Sequence, residues 1–358
     1  MFNITTNVLL YGANGYTGKL VLDQLLKLNL KPILAGRNLE DVKKLAESNN
    51  LEYRIFALHS HEEIVNGLQD IQILLNCAGP FIKTIKPFLK ACLENKVHYF
   101  DITGEIDVFN IAHSFDQEAK ERGVIICPGV GFDVVPTDCL ALMLKEQFEG
   151  EPINLELAFH GQGGPSKGTA LTSLGGSGSG TKVRRNGQIV TLPYSSLYKE
   201  VNFPHKKMTV NSIPWGDIFT SYISTGIPNV TVYMAMSPKT IKRMKRVQKF
   251  FFLRNFQPFK YFVQRNVKKS IPAGGGPSEE TRKKSKGYIW GSISDKNNEH
   301  TLEMFLVTPN GYTLTALSSA MILNKFDTID TKRGFFTPSQ LMGSGFVLEI
   351  PGTELIKK

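Results

Sequence analysis

The chain has little cysteine. Cys77, Cys92, Cys127 and Cys139 are the only four in 358 residues, with neither CxxC spacing nor a histidine cluster beside them. That argues against both a disulfide framework and a zinc site, so the four read as buried thiols and no metal is expected. A long apolar run is also missing. The longest uncharged stretch, Ile218 to Pro238, is rich in Ser, Thr, Gly, Pro and Asn, whose cost in hydrocarbon excludes a spanning helix. The start of the chain has no basic leader followed by an apolar run, which predicts a cytoplasmic protein. Acid is absent from one region. Between Ile218 and Ser278 there is no Asp or Glu, while eleven Lys and Arg fall there and supply the excess behind the net charge of +10.

What is present is a folded chain, since 41% hydrophobic content suits a globular protein long enough for two domains. The first third alternates short apolar runs with amphipathic stretches: Val8 to Tyr11, Lys19 to Leu28, Lys31 to Ala35, Leu39 to Ser48, Tyr53 to Ala57, Glu62 to Leu68, Ile71 to Asn76 and Ile85 to Glu94. This strand–helix rhythm, without polar alternation in the strands, predicts an α/β fold whose parallel sheet is covered on both faces, the Rossmann class. It continues through His98 to Asp101, a helix near Phe109 to Arg122 and a strand at Val124 to Cys127. After "PGVGFDVVPTD" (128–138) the pattern changes to strands at Ile153 to His160, near Thr209, Asn229 to Met236, Gly287 to Asp295 and His300 to Thr308, which read as an antiparallel sheet in a mixed α+β domain. Asn186-Gly187 signals a hairpin, Tyr312 to Leu323 a helix, and Thr337-Pro338 a helix start. The expected divisions are 1–135, 136–310 and a tail, 311–358, that packs back on the first domain. No internal repeat is found.

Gly12, Gly15 and Gly18 stand in GxxGxxG spacing between the first strand and the first helix. There, backbone amides and the helix dipole can face a pyrophosphate that side chains would obstruct. A tight structural turn is the plainer alternative. The next strand ends "AGRN", which places Arg37 where an acidic residue would otherwise grip a ribose hydroxyl. A guanidinium there suits a 2′-phosphate and so NADP rather than NAD, unless it is only a solvated arginine. A further strand ends "NCAGPF" (76–81), whose small residues let the chain pass close to the cofactor's second half, with Cys77 as a packing residue.

Together with "HYFDITGE" (98–105), "GVGFDVVPTD" (129–138), "GPSKGT" (164–169), "GPSEETR" (276–282) and "NGYTLTA" (310–316), these motifs resemble the saccharopine dehydrogenase-like oxidoreductases and, within them, the trans-acting enoyl reductase group. The resemblance spans almost the whole chain. It implies a Rossmann domain binding NADP(H), a second mixed domain and a substrate cleft between them. Carried over position by position, the cofactor residues are Gly12, Asn14, Gly15, Tyr16, Thr17, Gly18, Arg37, Asn38, Cys77, Ala78, Gly79 and Pro80, with Gly131, Phe132 and Asp133 near the nicotinamide. The reaction it implies is reduction of a carbon–carbon double bond in a lipid- or polyketide-like acyl substrate. Saccharopine-type amino-acid dehydrogenation and a catalytically idle NADP-binding lipid-surface protein stand as alternatives.

Enoyl reduction needs hydride from the cofactor, a stabilised enolate oxygen and a proton source. Asp133 is the acid/base or substrate-orienting candidate, or else it holds its loop through backbone amides. Thr103 and Glu105 follow a strand end at the ligand-binding edge and are substrate candidates, Glu105 equally a first-turn helix residue. Asp101 could cap the same loop, and Asp138 favours the positive end of the helix that follows. Ser166 and Thr169 lie in a glycine loop whose amides could face an oxyanion, or in a plain connection. His98 and His160 read as structural, and Arg184, Arg185 and Arg282 would serve a carboxylate-rich substrate.

The segment 239–269 interleaves Lys and Arg with Phe250, Phe251, Phe252, Phe256, Phe259, Tyr261 and Phe262. It suits an anionic membrane surface or an acidic acyl carrier, or a helix with aromatics packed inward. No nucleic-acid fold accompanies it, so nucleic acid is not an expected partner. The protein is thus expected in the cytoplasm, with peripheral membrane contact through this segment; a homodimer is as compatible with the sequence as a monomer.

Overall fold

The protein, described as a computed structural model, is defined over residues 7–162, 180–193, 196–237, 239–242 and 275–357. The chain divides into two compact units, one of Met1–Val135 with Tyr312–Phe346 and one of Pro136–Gly311 with Val347–Lys358.

The first unit is built on β1 (Val8–Tyr11), β2 (Ile33–Gly36), β3 (Tyr53–Ile55), β4 (Ile73–Asn76), β5 (His98–Asp101), β6 (Ile125–Cys127) and, late in the chain, β15 (Gly334–Phe335). They form one parallel sheet in the order β15-β6-β5-β4-β1-β2-β3. Every residue of β1, β4, β5 and β6 is buried, which is why these runs are mostly apolar rather than alternating, with polar residues such as Asn76 and Asp101 at the strand ends. Each fully buried Leu or Ile here contributes about 1.5–3 kcal/mol.

The crossovers are α1 (Tyr16–Lys27), α2 (Leu39–Ser48), α3 (His61–Gly67), α4 (Phe81–Asn95), α5 (Ile106–Ser114) and α6 (Asp116–Arg122). Helix α1 buries Val21, Leu22 and Leu25, the stripe its spacing predicts. The single helix expected near Phe109 to Arg122 is two, separated only by Phe115, because the backbone there turns to φ −97°, ψ 6°. Helix α4 starts four residues before the expected Ile85 and runs through Pro87.

Since β1 lies between β2 and β4, with Tyr11 opposite both Ala35 and Asn76, the chain reverses direction across the sheet there. The carboxyl ends of the strands at such a reversal are the usual ligand position in sheets of this kind.

The second unit contains α7 (Val135–Gln147), β7 (Asn154–Gly161), β8 (Thr181–Arg185), β9 (Gln188–Leu192), β10 (Tyr198–Phe203), β11 (Lys206–Ser212), α8 (Asp217–Thr225), β12 (Asn229–Ala235), α9 (Glu279–Lys284), β13 (Lys286–Ser294) and β14 (Thr301–Pro309). Its sheet runs β10-β11-β12-β7-β13-β14-β16, where β16 is Glu354–Lys357, and β8 and β9 join beside β12. The Asn186-Gly187 hairpin links β8 and β9, with both residues at positive φ as a type I′ turn requires. The sheet is mixed rather than purely antiparallel. β7 and β12 are parallel, because the long connection between them contains the crossover helix α8 that parallel neighbours need. Leu140 and Leu144 of α7 pack on Gly291 of β13, while Ala158, Phe203, Tyr233, Trp290 and Phe305 form a separate core.

The tail divides between the units. Helix α10 (Gly311–Asn324), β15 and α11 (Pro338–Met342) stay with the first, and Thr337 caps α11 in a capping box with Gln340. Beyond α12 (Phe346–Glu349), strand β16 pairs with β14, so the last residues leave the first unit, contrary to the 311–358 expectation. Edge pairing satisfies backbone groups of β14 that would otherwise face water. Among the described residues no helix is long and apolar enough to cross a membrane.

Candidate nucleotide site

At the start of α1 the chain has neither a side-chain cap nor an acidic residue in the first turn; Gly15 is the N-cap in extended conformation. The positive end of the helix is thus not neutralised by a side chain of its own first turn, as an anion site requires. Two glycines make the close approach. Gly12 has φ +82°, and a Cβ on it would stand 2.9 Å from both N and Cβ of Ala78 in the loop after β4. A Cβ on Gly18 would meet the Gly12 carbonyl oxygen head-on and lie 2.9 Å from Ala13 Cα. Gly15 N–H donates to the Gly12 carbonyl at 3.0 Å and closes the turn. Asn14 and Thr17 are half-buried here, and the Tyr16 ring packs edge-on against Tyr312 with centroids 5.2 Å apart.

Arg37 follows directly on β2 and is exposed, with no carboxylate at ion-pairing distance among the described residues. Its neighbour Asn38 is occupied otherwise: its side chain caps α2 by accepting from Asp41 N–H at 3.2 Å.

The loop after β4 carries Cys77 and Ala78, half-buried, and Gly79 and Pro80, exposed. Burial, and then the Asp101 charge, push the Cys77 thiol far above its ordinary range, so it is a packing residue and not a thiolate.

Two expected substrate contacts turn out to be tied up. Thr103 is fully buried and its hydroxyl accepts from Glu105 N–H at 3.1 Å. Glu105 reaches back to the start of α4, where its carboxylate accepts from Phe81 N–H at 3.1 Å and caps a helix whose own N-cap, Pro80, offers no side-chain acceptor. The Glu105 contact is a short reach between the ends of neighbouring strands, and the Thr103 contact is local to its loop.

Asp133 remains at the edge, half-buried. It lies against Gly104, where a Cβ would stand 2.9 Å from the Asp133 Cβ. Burial, and secondarily the Glu105 charge, push its carboxyl up to about 7. Gly131 and Phe132 in the same loop are held from α10: Thr315 Oγ1 accepts from Phe132 N–H at 2.9 Å, and Ser318 Oγ donates to the Val130 carbonyl at 2.6 Å.

Residues 8–127 match the family described as the saccharopine dehydrogenase NADP binding domain. The saccharopine dehydrogenase-like oxidoreductase of Mus musculus is 26% identical over 164 residues, 40% of this chain and 38% of that protein. A lipid droplet localized protein of Caenorhabditis elegans is 28% identical over 177 residues, covering 45% and 41%. A Mycobacterium tuberculosis protein whose name proposes a trans-acting enoyl reductase is 27% identical over 181 residues, covering 47% and 43%. The chain thus spans half or less of the length of these curated relatives. Saccharopine dehydrogenase (L-Glu forming) from Saccharomyces cerevisiae covers 99% of both chains at a TM-score of 0.67 and 11% identity, a likeness of fold.

Several residues that hold the loops after β4 and β6 were not singled out in the sequence. Asn76, Thr84, Thr315 and Ser318 hydrogen-bond these loops, and Tyr99 links Asn76 to Asp101. Their signal was present as polar residues inside apolar runs, "LLN", "HYF" and "TALSSA". Ser166, Thr169 and residues 243–269 lie outside the described residues. His98 is structural: its Nδ1 accepts from Ile125 N–H at 2.9 Å, and burial lowers it to about 4. In the second unit, His160 pairs with His205 at 3.1 Å, and the Arg184 guanidinium donates to the Ile218 carbonyl over the Tyr222 ring. Among the described residues no group of His, Cys, Asp or Glu is arranged to hold a metal ion.

Proposed function

We propose that the protein is an NADPH-dependent oxidoreductase that reduces a carbon–carbon double bond in a lipid- or polyketide-like acyl substrate. The observation that carries the cofactor half of this reading is the exposed Arg37 beside an uncapped α1. A pyrophosphate would rest against the start of α1, whose tight approach Gly12 and Gly18 permit, and a 2′-phosphate would meet the guanidinium. The cofactor, when bound, supplies the hydride. The chain's own part is to orient it through residues 77–80 and 129–132 and to hold a proton. A carboxyl raised to about 7 holds that proton through much of the neutral range, which suits Asp133 to give it to the substrate's α-carbon.

The acyl substrate is supported by the "GFDVVPTD" and "GPSEETR" motifs and by the name of the Mycobacterium tuberculosis relative. Contact of the basic, aromatic segment 239–269 with an anionic lipid surface is supported by its composition and by the name of the Caenorhabditis elegans relative. Vesicle flotation of a protein charge-reversed over 242–254 tests that contact, and retained flotation opposes it.

NADPH oxidation measured against unsaturated acyl thioesters and against saccharopine-type imines tests the reaction. Turnover with the thioesters alone is expected. Turnover with the imines alone replaces this reading with amino-acid dehydrogenation.

A further inference from the structure

Three side chains form a continuous chain beneath the loops that follow β4, β5 and β6. Asn76 and Asp101 are the last residues of β4 and β5 and stand opposite each other in register; both are fully buried. Tyr99, two residues before Asp101 and so on the same face, joins them. Its hydroxyl donates to Asp101 Oδ2 at 2.7 Å and accepts from Asn76 Nδ2 at 3.4 Å.

Each end of this chain grips loop backbone. Asn76 Oδ1 accepts from Ala78 N–H at 2.9 Å. Asp101 Oδ1 accepts from Thr103 N–H at 2.9 Å and from Gly129 N–H at 3.0 Å, while its own carbonyl accepts from Val130 N–H at 2.8 Å. Loops after β4, β5 and β6 are thereby tied to one carboxylate. Every hydrogen bond to that carboxylate comes from a donor, so the arrangement suits the ionised form, although burial raises the group to about 6. Keeping a charge there costs stability that packing alone would not demand. Such a cost is accepted where geometry must be fixed.

We infer that Asn76, Tyr99 and Asp101 are positioning residues that set the loops holding the nicotinamide half of the cofactor, and that they do not contribute to holding its adenosine half. The division follows from the fold, since the adenosine side is served by β1 to β3 and the other side by β4 to β6. The inference rests on the NADPH reading above.

The test compares two ligands on three proteins by calorimetric titration: NADPH, and 2′,5′-ADP, which has only the adenosine side. Tyr99→Phe keeps the ring and removes the link; Asp101→Asn removes the charge. Both variants are expected to bind 2′,5′-ADP as the wild type does and NADPH about tenfold or more weakly, the loss of roughly one hydrogen bond to a charged group. A merely structural role would lower the melting temperature and leave the ratio of the two affinities unchanged. An unchanged ratio in Tyr99→Phe overturns the inference, and that variant decides the matter if Asp101→Asn does not fold. Failure of the wild type to bind either ligand overturns the NADPH reading and the inference with it, so the two failures are separable.

Discussion

Adding one methyl group at Gly18 tests the close approach at the start of α1. The Cβ of Gly18→Ala would run into the Gly12 carbonyl oxygen and sit 2.9 Å from Ala13 Cα, where carbon atoms normally keep about 3.5–4.0 Å. The helix start must therefore retreat by somewhat under about 1 Å. Overpacking of this kind costs about 1–3 kcal/mol, offset by about 1 kcal/mol from replacing a helical glycine with alanine. The fold thus loses only about 0–2 kcal/mol and survives. Binding suffers more: one charge-assisted hydrogen bond to phosphate is worth about 1.5–3 kcal/mol, so NADPH should bind about 10–150-fold more weakly. Calorimetric titration reads the affinity and a thermal melt reads the fold. Gly161→Ala is the control, since its Cβ would meet nothing within 4 Å. Wild-type affinity in Gly18→Ala would refute the claim that the phosphates rest on this backbone.

Arg37→Asp should weaken NADPH by at least about tenfold and leave NADH unchanged, because only the former brings a 2′-phosphate to the guanidinium. In Asp133 the folded-state carboxyl is raised from 3.8 to about 7, so the folded protein holds the proton more tightly and loses stability as pH rises through that window. Asp133→Asn should therefore melt higher than wild type at pH 8, with the advantage shrinking towards pH 4; a gap independent of pH counts against the buried carboxyl. Turnover in the wild type should fall above pH 7 as the proton is lost, a limb absent from Asp133→Asn. Glu105→Ala uncaps α4 and should cost about 0.5–2 kcal/mol in urea unfolding, a loss that Glu105→Gln largely restores because its amide oxygen still accepts.

The first unit was legible because parallel strands buried on both faces appear as unbroken apolar runs, and β1, α2 and β5 begin and end where their sequence pattern does. Gly12 and Gly18 were readable for the same kind of reason: each is a position where the backbone itself must be approached. What escaped the sequence was pairing across strands. Glu105 reads as a substrate candidate or a first-turn helix residue, and nothing local says that its carboxylate returns to Phe81, 24 residues earlier. Likewise Asn76 and Asp101 meet only because β4 and β5 lie side by side in register. In the second unit, strand positions were legible from alternation, but the parallel pairing of β7 with β12 depends on a connection too long for periodicity to resolve. The final strand, β16, is four residues with one half-buried side chain and carries little pattern of its own.

The most direct measurement is calorimetric titration of the purified wild-type protein with NADPH and NADH in parallel. Saturable binding of NADPH, at least about tenfold tighter than NADH, is the predicted result, set by the interaction of one phosphate with Arg37. Absence of binding by both nucleotides would contradict the nucleotide site and leave only the architecture standing.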